Sequence, residues 1–303
     1  MIELTKESIA EWFKELQDHI CQELEALDGK EKFMEELWKR PGGGGGRTRV
    51  IQNGKLIEKG GVNFSAVYGA TPAPLVQKGV LPEGEFFATG VSIVLHPFNP
   101  WVPIIHMNVR YFEASNGQYW FGGGIDATPH YIDKTDAAAF HKLLKDCCDK
   151  HNKNYYVKFK EWADNYFFIP HRQETRGIGG IFFDRLTEDN SMQKDDIFNF
   201  VKDVGFSFIP AYKLLISSKK DKPFNEKQKE WQLVRRSRYA EFNLVYDAGT
   251  KFGLETQGRI ESILMSMPPL AAWKYNYQPA PGSQEAETLS LLKKGIDWIS
   301  FAS

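Results

Sequence analysis

The chain is poor in cysteine. Its 303 residues hold three, Cys21, Cys147 and Cys148. An odd number with one adjacent pair excludes a disulfide framework and a zinc knuckle. It fits a reducing compartment, and the cytoplasm is the expected location. Other signatures are missing too. There is no Gly-x-Ser-x-Gly elbow for a serine nucleophile, no His-Glu-x-x-His, no Cys-x-x-Cys, and no Gly-x-Gly-x-x-Gly between a strand and a helix. No histidine is followed two residues on by Asp or Glu, so the usual opening of a two-His-one-carboxylate iron site is absent. Charge of one sign never accumulates: 38 Lys and Arg face 39 Asp and Glu, a net charge of −1. Without a basic block no nucleic-acid partner is expected. No apolar run approaches the roughly 20 residues that span a bilayer, so no membrane insertion is expected. The opening MIELTKESIAEWF is acidic and amphipathic, unlike a signal or transit peptide.

Aromatic residues, by contrast, are plentiful, with 22 Phe, 12 Tyr and 8 Trp. They supply a core and could also wall a pocket for a large flat ligand. The stretch from His96 to Tyr131 concentrates two kinds of signal. From Ile104 to Glu113 the residues alternate: Ile105, Met107, Val109 and Tyr111 point one way, and His106, Asn108, Arg110 and Phe112 the other. Gly90 to His96 alternates as well, and seven residues with three prolines join the two segments, which suits an antiparallel pair. Such pairing lets Ser92, His96, His106, Asn108 and Arg110 share one face. Downstream, Gly122, Gly123 and Gly124 predict close approach of backbone to a neighbour, and Asp126 follows them.

Along the rest of the chain, Ile9, Phe13, Leu16, Ile20 and Leu24 predict a helix over 5–28 that ends at Gly29. The spacing of Phe33, Met34, Leu37 and Trp38 predicts a second short helix before Pro41. The glycine run 42–46 reads as a mobile loop, either closing over a ligand or simply connecting, with Arg47 and Arg49 behind it. Strands are expected at 62–68, 118–121, 181–183, 239–247 and 252–255. Helices are expected at 136–150, 154–166, 196–204 (closed by Gly205), onward to 218, from Asn225 to Arg238, at 260–265, and around Leu289, Leu292, Ile296 and Ile299. Strands cluster centrally and do not alternate with helices. The expected architecture is one α+β domain over 1–303, a large antiparallel sheet flanked on both faces by helices.

Arginine makes planar, bidentate bonds to carboxylates, so Arg110 and Arg259 suit a ligand with several carboxylate arms. Asp126 reads either as a turn aspartate or as an acceptor for ring N–H groups.

GVSIVLHPFNPWVPIIHMNVRYF, YWFGGGIDATPHY, GGGGGRTRV, GVNFSAVYG, HRQETRGIGGIFFD, RRSRYAEFNLVYDAGTKFGLETQGRIESILMSMPP and WKYNYQP together resemble the oxygen-dependent coproporphyrinogen III oxidase family. The blocks run nearly end to end. The resemblance implies a helix-sandwiched sheet in a homodimer. The implied reaction is oxidative decarboxylation of two propionates of coproporphyrinogen III to vinyls, giving protoporphyrinogen IX, with O2 as oxidant and no flavin or haem. It also implies substrate contacts at Ser92, Asn108, Val109, Arg110, Gln257, Gly258 and Arg259, a proton donor in His106, and Asp126 acting with Arg110 on the substrate. His96, His106, His141 and His171 fall at positions assigned to a divalent metal in some bacterial relatives. Separated by 10, 35 and 30 residues, they fit no compact zinc motif, and satisfied hydrogen-bonding histidines are the alternative reading. Two departures stand out: Gln257 replaces a frequent Gly, and Arg185 follows Asp184 where a second Asp is frequent, a change expected to touch only a surface pair. A metal-dependent dioxygenase and a non-catalytic tetrapyrrole carrier are the competing readings.

Overall fold

The structure, a computed structural model, describes residues 4–77, 79, 81–189, 191–255 and 258–301, without the side chains of Pro74, Leu75 and Phe252. In chain order the elements are α1 (Lys6–Asp28), β1 (Met34–Lys39), β2 (Gly44–Gln52), β3 (Ile57–Ala70), α2 (Ala73–Gln77), β4 (Glu85–Pro97), β5 (Ile104–Ala114) and β6 (Tyr119–Thr128). Then come α3 (Lys134–Asp149), α4 (Tyr155–Tyr166), β7 (Phe168–Ile169), β8 (Glu174–Thr175), β9 (Gly179–Leu186), α5 (Lys194–Ile216), α6 (Glu226–Val245), α7 (Ala248–Glu255), α8 (Ile260–Leu264), α9 (Gln284–Leu291) and a 3-10 turn at Trp298–Phe301.

Seven strands form one antiparallel sheet in the order β1-β2-β3-β4-β5-β6-β9. The alternation read on β4 and β5 is the sheet's own. Val91, Ile93, Leu95, Ile105, Met107, Val109 and Tyr111 are sealed in the core, together with Phe121 and Ile125 of β6. Helices α1 and α5 close this face because their apolar residues recur every three or four positions, as Ile9, Phe13, Leu16, Ile20 and Leu24 do. Helix α3 packs on α5, and α4 runs along β9. On the opposite face, α6 covers one end through Tyr239, packed on Val94 and Ile104. α8 covers the β2–β3 side, and the middle stays partly open.

Several expected elements differ. Residues 33–38 are not a helix: Met34–Lys39 is the edge strand β1, and the glycine run is a hairpin that enters β2. Gly43 and Gly44 take positive φ (118° and 77°) to make the turn. Gly46 lies opposite Trp38, whose indole fills the space a Cβ would need, so glycine here is a packing residue rather than a loop former. Residues 239–247 are not a strand, since α6 continues from its Asn225–Gln228 capping box through Val245. Residues 252–255 are likewise helical, in α7. Gly205 does not end a helix. It lies inside the continuous α5, where a Cβ would meet Leu16 and Trp12 of α1 at 2.8 and 3.0 Å. The last expected helix is split, with α9 ending at Leu291 and a separate turn at Trp298–Phe301.

Candidate active site

Cross-strand register turns the open face into three parallel rows. The first is Met34, Val50, Gly61, Val94, His106, Asp126 and Gly180. The second is Glu36, Thr48, Asn63, Ser92, Asn108, Gly124 and Phe182. The third is Trp38, Gly46, Ser65, Gly90, Arg110 and Gly122. Bulky side chains are scarce in the middle of rows two and three. Strands lie about 4.8 Å apart and successive same-face residues nearly 7 Å apart, so the stretch from Ser65 to Gly122 is a flat shelf wide enough for a ring spanning several strands. Ser65, Ser92, Asn108 and Arg110 remain partly exposed on it.

Row one holds a histidine fixed by an ion-paired carboxylate. His106 and Asp126 are direct cross-strand partners, with His106 Nδ1 2.8 Å from Asp126 Oδ1. Arg176, just before β9, donates Nη2 to both Asp126 oxygens at 2.8 and 2.9 Å and Nη1 to Asn243 Oδ1 at 3.0 Å. Its guanidinium carbon lies 4.4 to 4.7 Å from the ring centres of Phe167, Tyr239 and Phe242. Burial raises the pKa of Asp126. The charge of Arg176 and the bond and charge of His106 more than offset this and hold it below the ordinary carboxylate range. An ionised carboxylate only accepts, so the His106 proton sits on Nδ1 and Nε2 is the nitrogen free to exchange one. Asp126 is 1% exposed and His106 20%. The expectation that Asp126 faces a ring's N–H groups therefore does not hold for this conformation: both oxygens are engaged beneath His106.

Row three supplies the cation. Arg110 donates Nη1 to Asn108 Oδ1 at 2.7 Å and Nη2 to Asp184 Oδ1 at 2.9 Å. Its acidic neighbour is Asp184 and not Asp126, which stands four residues from Arg110's cross-strand partner Gly122. Gly122 is glycine for this reason: a Cβ there would lie 2.6 Å from Asp184 Oδ1 and 2.8 Å from Arg110 Nε. Gly122 thus makes room for side chains of the site itself. Ser92 lies between Asn63 and Asn108 in row two. Val109 has its side chain in the core and offers only backbone to this face.

Arg259 caps α8 and pairs with Glu36. Beside it, Ser262 binds Thr48 (Oγ to Oγ 2.7 Å) and accepts at its carbonyl from Asn63 Nδ2 (2.9 Å), so α8 walls the shelf opposite β9. Gly258 N donates to Gly253 O, and Gln257 lies outside the described residues.

The four candidate metal ligands do not converge. His96 is buried at the end of β4, with Nε2 2.8 Å from Ser266 O. His141 sits in α3 on the covered side and contacts Tyr156 Oη and Ile178 O. His171 is at the surface and bonds Tyr246 Oη and Glu241. His106 is held by Asp126. Burial, then the charge of Arg236, keeps His96 well below the usual imidazole range, and burial pushes His141 down to about 3. Among the described residues no group of three or more His, Cys, Asp or Glu side chains is disposed to hold a metal ion. These four residues do not fit that role together, and no step is derived through a metal.

Sequence reasoning missed Arg176 and Asp184. Arg185, set aside as a surface change, lies with its guanidinium 4.9 Å from the Trp120 ring on the open face.

The family model described as coproporphyrinogen III oxidase matches residues 8–298. An oxygen-dependent coproporphyrinogen-III oxidase of Prochlorococcus marinus (strain NATL1A) is 46% identical over 310 residues, covering 94% of this chain and 89% of its own. A chloroplastic oxygen-dependent coproporphyrinogen-III oxidase of Glycine max is 48% identical over 301 residues, covering 94% and 77%. Among the described residues no helix is long and apolar enough to cross a membrane. A match over this much of the chain, on a sheet face carrying Arg110 and the His106–Asp126–Arg176 group, places the protein in the family of oxygen-dependent coproporphyrinogen III oxidases, oxidoreductases of haem and tetrapyrrole biosynthesis.

Proposed function

We propose that coproporphyrinogen III lies flat on the shelf, its ring over Ser65, Gly90, Ser92 and Gly122, with one propionate at Arg110 and His106 as the group that exchanges the proton. The observation that carries this reading is the register. It sets a row of small residues with a cation at its end beside a histidine whose tautomer is fixed from below. Each arm and one O2 yield a vinyl group, CO2 and H2O2, which balances atoms and electrons. The porphyrinogen is electron-rich and reacts with O2 once a pyrrole N–H is lost. The chain's tasks are then to orient the ring, anchor carboxylates and accept a proton at His106 Nε2. This reading needs O2 as co-substrate and no resident cofactor. Asp126 acts on His106 directly and Arg176 acts through Asp126, fixing the ring and its tautomer. Arg259 would meet a carboxylate arm in exchange with Glu36. Gln257, Gly258 and the Val109 backbone belong to the reading only as inherited substrate contacts.

Ser92→Trp tests it. An indole rising from the shelf should abolish binding of coproporphyrin III, followed by fluorescence quenching, while circular dichroism and thermal stability stay unchanged. Undiminished binding would exclude the shelf as the ring's seat. Aerobic turnover to protoporphyrinogen IX with O2 uptake would exclude a mere carrier.

One cluster of buried side chains runs from Ile9 to Trp298, which supports treating the chain as one domain. A homodimer is part of the reading. Exposed Leu244, Val245, Leu254, Ile260, Leu270 and Trp273 support it, and sedimentation at micromolar concentration decides. Three free, buried cysteines support a reducing location such as the cytoplasm. The chloroplast named for the soybean relative is the alternative, and cell fractionation separates the two.

A further inference from the structure

Between β6 and β9 the register slips. Phe121 pairs with Leu186 and Gly123 with Phe183, so Gly122 alone faces two residues, Asp184 and Arg185. Arg185 takes a positive φ of 49°. This is a β-bulge, a feature that re-aims side chains beside functional sites. Its effect is visible in the contacts. In a regular strand Asp184 and Arg185 would point to opposite faces, yet Asp184 bonds Arg110 while Arg185 lies over Trp120, the cross-strand partner of Phe112 on the same open face. The missing Cβ of Gly122 leaves the space in which Asp184 and Arg110 meet.

Two ion pairs therefore stand on one face with different surroundings. Asp126 and Arg176 are 1% and 2% exposed, locked by aromatic rings and by His106. Asp184 and Arg110 are 33% and 35% exposed. A pair open to water is weak and exchanges its partners, whereas a buried pair that loses one member strands a charge. We infer that Asp184 is the counter-ion that a substrate carboxylate displaces from Arg110, making it a positioning and specificity residue. While the shelf is empty, Asp184 and Asn108 hold the guanidinium flat on the sheet. A carboxylate arm takes over the Nη2 edge, and Asp184 reclaims it when the ligand leaves. A neutral arm cannot make the exchange. This rests on the reading that the porphyrinogen lies on this face.

The test uses coproporphyrin III, the oxidised ring with all four carboxylates, titrated by fluorescence quenching against the full chain at fixed ionic strength. Asp184→Asn keeps an acceptor for Arg110 but removes the competing charge. Binding should tighten about three- to fivefold, the worth of an exposed ion pair. The tetramethyl ester should gain nothing, and the gain should vanish in the Arg110→Ala background. Asp184→Ser serves the same purpose should the Asn variant fold poorly. Unchanged or weaker binding by both variants would overturn the proposal, since a merely structural aspartate can only weaken the site when removed. A gain that persists without Arg110, or that extends to the ester, would overturn it too. If Arg110→Ala alone leaves binding untouched, the reading of the face fails and this inference falls with it. If only the Asp184 arms fail, the reading of the face stands.

Discussion

On β5, Ile105, Met107, Val109 and Tyr111 are sealed under helices, while His106, Asn108, Arg110 and Phe112, each one residue away, stay partly exposed. The two faces share one backbone and one hydrogen-bond ladder, so neither strand propensity nor pairing distinguishes them. The covered face is filled with branched and aromatic side chains that exclude water. The open face carries little bulk at Gly90, Gly122 and Gly124, and its polar groups are held by partners from other elements, as Arg176 holds Asp126 and Asp184 holds Arg110. Bulk carries stability on one side, and in the proposed reading absence of bulk carries binding on the other. A one-residue slip would exchange them, and β4–β5 register is fixed by that penalty.

If this division is right, damage to either face should show in a different measurement. The largest effect is expected on the covered side. Met107→Ala empties a fully buried position and should cost about 2–5 kcal/mol of stability in chemical denaturation, while the folded protein binds coproporphyrin III as before. A binding defect at low temperature would break the division. On the open side, Asp126→Asn keeps the size of the group under His106 and removes its charge. Turnover should fall at least about a hundredfold, with coproporphyrin III affinity nearly retained in protein shown to be folded. If the rate holds and only affinity falls, Asp126 helps to seat the ring and does not tune His106. Arg110→Ala comes next. Losing a charge-assisted bond to a carboxylate is worth about 1.5–3 kcal/mol, so kcat/KM should drop by one to two orders of magnitude with thermal stability little changed. Near-wild-type kcat/KM would remove Arg110 from the site.

How much of this was legible follows the same line. The period-two pattern of β4 and β5 gave both faces, and with them the shared side of Ser92, His106, Asn108 and Arg110, because alternation is a local property. Helix α1 was legible from its apolar spacing and Gly29. What depended on distant partners was not. Gly42 to Gly46 looked like a loop because nothing local says that Trp38 lies over Gly46. The apolar residues at 240, 242, 244 and 246 alternate as a strand does. The helix from Asn225 nonetheless continues, burying Trp231, Val234, Arg235, Tyr239 and Phe242 at helical spacing. Arg176 and Asp184 reach their partners across 50 and 74 residues, through the β6–β9 pairing. The glycines at 177, 179 and 180 hinted at that close approach, but no spacing rule names the carboxylate to which an arginine will turn.

The last comparison sets two histidines on opposite sides of the sheet against each other. His106 is partly open and paired to a carboxylate. His141 is fully buried in α3 between Tyr156 Oη and Ile178 O, and burial pushes its pKa down to about 3. The usual value for an unfolded chain is about 6.5. Between those two pH values the unfolded chain binds a proton that the folded chain refuses. The stability contributed by the neutral ring is therefore complete above about pH 6.5 and is lost progressively as the pH falls towards 3. Buried His96 and His130 are depressed in the same direction, so acid destabilisation should begin near pH 6.5, above the range where carboxylates titrate. Each such group contributes a slope of about 1.4 kcal/mol per pH unit. His141→Gln keeps an acceptor and a donor in the same cavity but cannot bind the proton. Its plot of unfolding free energy against pH, taken from denaturant titrations between pH 4.5 and 7.5, should be shallower than wild type by about one proton, even if the variant is less stable at neutral pH. An unchanged slope would mean that His141 is protonated in the folded protein, and the covered side would then hold a charge that its packing is built to exclude.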